Sequence, residues 1–232
     1  MTSKPLVPIA DAPRPLSAAR PRRGFDRARL LVHLAALSPI ALAWLDARRA
    51  AAAILINPVQ AVSQRTGFTA LSLLVASLAV TPLGALLGRP GLVRHRRTLG
   101  LYAFAWALAH ASITLWDFSW IEGAFDGAAL RDAIVDKPYA LVGFTAFCLL
   151  TPLAITSTKG WQRRLGRRWT RLHRLVYGIA PLVVLHYLWS VKADWRPPAA
   201  FGAGVLLLLA LRLPALRRRA ADWGRRRRAA AP

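Results

Sequence analysis

The stretch RLHRLVYGIAPLVVLHYLWSVK, residues 171–192, is apolar enough to lie in a lipid bilayer, yet it carries two imidazoles, His173 and His186. A polar or ionisable side chain inside a membrane helix costs a few kcal/mol unless it faces a partner, so such a residue marks a functional site by default. The reading of the whole chain turns on whether the surrounding sequence is also membrane-spanning, and on what the two imidazoles face.

The wider composition answers the first question. Of 232 residues 55% are hydrophobic, while 33 Lys and Arg stand against 10 Asp and Glu, a net charge of +23. A nucleic-acid binder can be as basic, but its charge accompanies a soluble core. Here long apolar blocks alternate with short basic clusters, the pattern of a polytopic membrane protein. Windows of about 17 or more apolar residues predict helices near 30–46, 68–87, 99–118, 139–156, 172–191 and 198–214. The expected fold is an all-α polytopic membrane helical bundle of six transmembrane helices. Span one contains Pro39 and His33, and span six ends near Arg212, whose long side chain is expected to snorkel to the headgroups.

Charge gives an independent check. Six spans leave the N-tail, loop 88–98, loop 157–174 and the chain from Arg212 onward on one side, with 26 of the 33 Lys and Arg, and only 7 on the other. The acids divide the opposite way, 3 against 7. By the positive-inside rule both termini are cytoplasmic. The basic clusters then serve orientation and attraction to anionic lipid rather than nucleic acid. Residues 1–29 read as a basic Pro/Arg-rich cytoplasmic tail, 30–216 as the membrane domain and 217–232 as an Arg-rich cytoplasmic tail. The N-tail has a twin-arginine look at Arg22, Arg23 and Phe25, but the long Pro-rich stretch before the arginines favours a retained tail over a cleaved signal. Cys148 is the sole cysteine, which excludes an intrachain disulfide. No internal repeat, glycine-rich nucleotide fingerprint or soluble domain is read.

Of the five histidines, His95 falls in the basic loop RPGLVRHRRTLG and reads as solvated. His110 lies eleven residues into span three and His186 fourteen into span five, depths of roughly 16 and 21 Å at about 1.5 Å per residue. Both sit in the outer half of the membrane. Two imidazoles at one depth fit axial ligation of a b-type haem in an apolar gap between helices. The competing reading, that each merely hydrogen-bonds a neighbouring helix, stays open at this point. No Asp or Glu occupies a span interior, which weighs against a proton-coupled transporter. His173 precedes His186 by thirteen residues, about 20 Å of rise and roughly 140° of rotation, so the two do not share one iron. His173 lies instead at the cytoplasmic edge among Arg168, Arg171 and Arg174, at a depth comparable with His33. That corner suits a second haem, a quinone pocket or a flavin phosphate, or simply a headgroup-facing histidine.

Three pieces, VHLAALSPIALAWL, RRTLGLYAFAWALAH and KPYALVGFTAFCLLTPLAITSTKGWQRRLGRRWTRLHRLVYGIAPLVVLHYLWSVK, resemble the MsrQ (YedZ) family of haem-binding membrane subunits, within the wider ferric-reductase-like transmembrane group. The likeness runs from about residue 30 to 216. It implies a multi-pass protein of the bacterial inner membrane. Its electrons would come from the quinone pool, or from a flavin reductase by way of bound FMN, and pass through haem b to the periplasmic molybdenum-cofactor subunit MsrP, which reduces methionine sulfoxide in oxidised periplasmic proteins. Carried over by position, the axial ligands are His110 and His186, and His173 is a third histidine that affects haem binding. Where two-haem relatives have a further His, thirteen residues before His110, this chain has Arg97. Either His33 substitutes or there is one haem. The chain ends soon after span six, so an attached cytoplasmic flavin and nicotinamide domain is not expected. A stand-alone ferric reductase and a haem-free quinone- or proton-handling membrane protein are the alternatives.

Overall fold

In a computed structural model the chain is almost wholly helical; residues 27–50, 58–121 and 123–229 are described. The N-tail before residue 27 and its signal-like arginines lie outside them. Helix α1 (Arg27–Ala50) is followed by α2 (Pro58–Leu86), a 3₁₀ segment (Pro90–His95), α3 (Arg96–Ser119), α4 (Gly127–Val135), α5 (Pro138–Ile155), α6 (Lys159–Leu165), α7 (Arg167–His173), α8 (Val176–Ser190), α9 (Arg196–Ala210) and α10 (Pro214–Ala229). The only strands among the described residues are β1 (Trp120–Ile121) and β2 (Ala124–Phe125), an antiparallel pair that turns the chain after α3.

Local chemistry sets these boundaries. Pro58, Pro138 and Pro214 each stand at the first helical position, where a missing N–H costs nothing. Asp126 caps α4 by accepting the N–H groups of Ala128 and Ala129 at 2.8 and 3.0 Å. Gly166, at φ +49°, separates α6 from α7 with a backbone conformation that other residues adopt poorly. Between α7 and α8 the chain does not leave helical space. Arg174 and Leu175 bond back to Arg171 and Leu172, a tightened 3₁₀ turn. The span expected at 172–191 is therefore a 15-residue helix, α8, continued by that turn into α7.

Among the described residues three helices are each long and apolar enough to cross a membrane: Pro58–Leu86, Pro90–Ser119 and Pro138–Ile155. The pair α9 and α10 passes the same test jointly but is bent by 85°, and the apolar part of α1, Leu30–Ala41, is shorter. The protein is an all-α, multi-pass membrane protein. The largest departure from expectation is α2, which starts at Pro58 rather than near 68. Its first turns carry Gln60, Ser63, Gln64, Arg65 and Thr66, which dilute the hydropathy. They are helical because their polar groups are used inside the bundle: Thr66 bonds back to Val62 and Ser63, and Ser63 pairs with Thr114 of α3.

The core forms where small residues let backbones approach, as is usual between membrane helices. One cluster joins Ala36, Leu74, Leu78, Ala103, Ala180 and Val205, and a second joins Ala146, Leu150, Leu153 and Ile179. Large apolar side chains such as Leu31, Phe144, Leu206 and Leu207 point outward, the surface expected against acyl chains. Arg212 departs from expectation. Rather than snorkelling, it turns inward, donating through its two Nη groups to the Tyr177 hydroxyl (3.0 Å) and the Leu78 carbonyl (2.7 Å). His95 is likewise buried rather than solvated, its Nε2 accepting from Arg94 Nε at 3.2 Å.

Candidate functional site

Helices α3 and α8 bring His110 and His186 together, with ring centroids 6.0 Å apart and planes inclined at 68°. The orientation of each ring is set from the helix beside it. The His110 Nδ1–H donates to the Ser63 carbonyl of α2 at 2.8 Å, and the His186 Nδ1–H donates to the Tyr139 carbonyl of α5 at 2.7 Å. A carbonyl accepts only, so each contact assigns the proton to Nδ1 and leaves the lone pair on Nε2. A metal-ligating histidine is held in this way, with its second nitrogen bonded to a carbonyl or carboxylate.

The rings fit because the facing turn lacks a side chain. A β-carbon on Gly67 would lie 3.1 Å from His110 Nδ1 and Cε1, and one on Gly143 would lie 2.5 Å from His186 Nδ1. Acceptor, glycine and histidine recur at one offset: Ser63, Gly67 and His110 become Tyr139, Gly143 and His186, each 76 residues later. The supporting segments are GFTALSLL at 67–74 and GFTAFCLL at 143–150. This overturns the reading that the chain has no internal repeat. The helix pairs α2–α3 and α5–α8 are two copies of one device, a His on the second helix steadied by a carbonyl and a glycine on the first. Sequence reasoning missed Ser63, Gly67, Tyr139 and Gly143, although the shared GFTA was in plain view.

Two imidazoles on one metal, at an ordinary metal–nitrogen bond of about 2.0–2.1 Å, stand with their ring centroids at most about 6 Å apart. The observed 6.0 Å lies within that reach. Aromatic side chains lie on α3 and α5: Phe104 and Phe147 stack at 5.8 Å, and the Tyr139 ring is 6.4 Å from His186. The donor set, the free Nε2 lone pairs and the spacing all fit a macrocycle whose iron takes two histidines.

The other candidates lie elsewhere. His173 is at the end of α7, its ring stacked on Trp169 at 4.1 Å and its Nε2 3.1 Å from Thr156 Oγ1. Thr156 gives its own proton to the Pro152 carbonyl, so His173 Nε2–H is the donor. Trp169 Nε1–H closes the corner on the Thr156 carbonyl at 2.9 Å. His33 Nδ1 meets the Tyr102 hydroxyl at 2.8 Å, and Arg97 is exposed. His33 and His173 thus have different partners, Tyr102 for the one and Thr156 with Trp169 for the other. Among the described residues no group of three or more His, Cys, Asp or Glu could hold a metal ion. Trp106 Nε1–H donates to the Ala36 carbonyl of α1 at 2.9 Å, while Trp116 and Trp189 are exposed as an interfacial belt would be.

Known proteins resemble this chain over most of its length. The family described as Ferric reductase like transmembrane component matches residues 29–184. A protein of Xanthomonas campestris pv. campestris named Protein-methionine-sulfoxide reductase heme-binding subunit MsrQ is 47% identical over 186 residues, covering 78% of this chain and 83% of that protein. A protein of the same name from Caulobacter vibrioides is 45% identical over 184 residues, 79% of this chain and 85% of the other. With matches of this extent, the chain belongs to the MsrQ family, within the ferric-reductase-like transmembrane proteins.

Proposed function

We propose that this protein is a haem b electron-transfer subunit of the bacterial inner membrane, with six spans, cytoplasmic termini, and His110 and His186 as axial ligands. It carries electrons from the quinone pool, or from a reduced flavin such as FMN, to a periplasmic molybdenum-cofactor methionine sulfoxide reductase, MsrP. The relatives' shared name supports the methionine sulfoxide reductase part. One observation carries the ligand assignment. Two histidines on different helices have Nδ1–H fixed by backbone carbonyls, with ring centroids within the reach of a single metal.

A bound haem would supply one-electron redox chemistry. This chain's contribution is orientation and burial. Ser63 and Tyr139 hold the two rings against rotation, and their carbonyls make the imidazoles better donors. Gly67 and Gly143 admit the rings to the helix surface, so the ligands need not reorganise when the cofactor enters. Both histidines sit toward the end of the bundle that carries the β1–β2 turn and α4, the side with few basic residues, which suits a periplasmic acceptor. The His173 corner, with Thr156, Trp169 and the arginines of α7 and the following turn, lies at the opposite end and suits the electron donor.

Reduced-minus-oxidised spectra of the purified protein test the proposal. Bands of a six-coordinate b haem, lost in both His110→Ala and His186→Ala, are expected. A protein that stays colourless after haem-replete expression overturns it and leaves a quinone- or proton-handling role.

A further inference from the structure

At the arginine-rich end of the bundle, away from the histidine pair, lies a cavity of about 560 Å³ between the end of α2, the start of α8, the end of α9 and the first turns of α10. Arg174, Arg212 and Arg217 line it together with Tyr177 and Thr81, and no carboxylate is among the lining residues. Two buried polar atoms of those residues, Arg212 Nε and Thr81 Oγ1, have no hydrogen-bond partner among the described residues. Buried polar groups are nearly always paired, and an orphaned N–H on a guanidinium asks for an acceptor, best an anionic oxygen. Arg212 cannot turn away to find one in solvent, because Leu78 and Tyr177 hold its Nη groups and its guanidinium lies 4.8 Å from the Tyr177 ring centroid.

The shape narrows the ligand. Three guanidiniums, a hydroxyl and a tyrosine match a tetrahedral oxyanion, since arginine forks bind phosphate oxygens in pairs. The remaining walls, including Pro82 and Leu209, are apolar. Helix α10 leaves α9 at 85°, and so sharp a bend into an arginine-rich helix fits a chain that stops crossing the membrane and runs along its surface. Its sequence, PALRRRAADWGRRRRA, is that of a basic helix at an anionic interface. The cavity thus sits where a membrane phosphate would sit, in the elbow between the last spanning helix and the surface helix.

We propose that this elbow is a phosphate-binding site occupied by the headgroup of an acidic phospholipid of the cytoplasmic leaflet. Arg212 and Thr81 bind from the bundle, and Arg174 and Arg217 bind from the rim. The lipid fastens α10 to α2 and α8. Arg174 also borders the His173 corner, so the test varies other residues of the site and needs no haem signal.

Full-length protein is delipidated in detergent, offered phosphatidylglycerol or phosphatidylcholine, and analysed by native mass spectrometry. The expected result is retention of one phosphatidylglycerol about tenfold better than phosphatidylcholine, with about a tenfold loss on removing one charge-assisted bond. The variants are Arg212→Gln, Thr81→Val and Arg217→Gln. Arg212→Gln also cuts the Leu78 and Tyr177 bonds and is the one at risk of unfolding, so Arg217→Gln, on the exposed side of α10, keeps the test decisive. Retention unchanged in Arg217→Gln and Thr81→Val overturns the site, as does retention of neither lipid. If inorganic phosphate added without lipid raises the melting temperature with the same residue dependence while the two lipids are held equally, the phospholipid occupant is overturned in favour of a soluble phosphate compound.

Discussion

Gly143 lies against the ring of His186 so closely that a β-carbon there would stand 2.5 Å from Nδ1 and 2.7 Å from Cε1. Its counterpart Gly67 is less tight against His110, at 3.1 Å. The difference yields a graded expectation. Gly143→Ala forces His186 off its carbonyl and should remove most of the haem, while Gly67→Ala should keep it with an altered spectrum. Alanine is the better helix former by about 1 kcal/mol, so neither change threatens the helix itself. Haem-to-protein ratio measured beside helical circular dichroism checks this. Equal haem content in both variants would show that the glycines serve only helix packing.

The ligand pair predicts a different pattern for the third histidine. His110→Ala and His186→Ala each leave one nitrogen donor on the iron and should abolish the six-coordinate spectrum. His173→Ala should preserve it, because His173 Nε2–H is committed to Thr156 and its ring to Trp169 rather than to either member of the pair. Pyridine haemochrome quantification should then give one haem per chain in the wild type and in His173→Ala. Loss of half the haem in His173→Ala would point to a second haem at that corner.

Part of this arrangement is legible in the sequence because hydropathy is a summed property. Helices α3 and α5 lie within a few residues of their expected spans, and the depth argument placed His110 and His186 side by side. What failed depended on partners that a residue's own chemistry does not reveal. Arg212 was expected to seek headgroups, but Tyr177 and the Leu78 carbonyl offer it inward partners. His95 looked solvated in a basic loop, yet the 3₁₀ segment folds it under. The start of α2 was missed because its polar residues are satisfied by α3 and by its own turns, so hydropathy averaged over a window undercounts the helix. The repeat was missed because only a short GFTA–Leu-Leu segment and the distant histidine recur, with unrelated residues such as Ser63 and Tyr139 at the acceptor position. There the backbone carbonyl acts, and side-chain identity carries no signal.

Helix α1 is tied to α3 through Trp106 Nε1–H on the Ala36 carbonyl and through His33 with the Tyr102 hydroxyl. Tyr102→Phe removes one bond while keeping the ring and should destabilise the protein by ~1 kcal/mol; Trp106→Phe removes one bond and part of the packed indole and should cost more. In thermal unfolding the double variant should fall further than either single one, with haem content per folded chain unchanged, because neither bond touches the histidine pair. A loss of haem in Trp106→Phe would instead place that indole in the cofactor pocket.

The last expectation concerns the electron-donor end. Thr156 joins the corner together: its hydroxyl accepts from His173 Nε2–H and donates to the Pro152 carbonyl, while its carbonyl accepts from Trp169. Thr156→Val keeps the shape and the carbonyl but leaves the His173 donor without its partner, a loss of about 1–3 kcal/mol if the donor stays buried. The imidazole is then free to turn out of its stack on Trp169. If electrons enter here, reduction of the protein by a quinol or by reduced FMN should slow several-fold in Thr156→Val. Chemical reduction by dithionite should give an unchanged spectrum, because His110 and His186 are steadied from Ser63 and Tyr139 and do not depend on this corner. Stopped-flow reduction with each donor separates the two outcomes. An unchanged rate with both quinol and flavin would remove His173 from the entry route and leave it a structural residue that closes the end of α5 against α7.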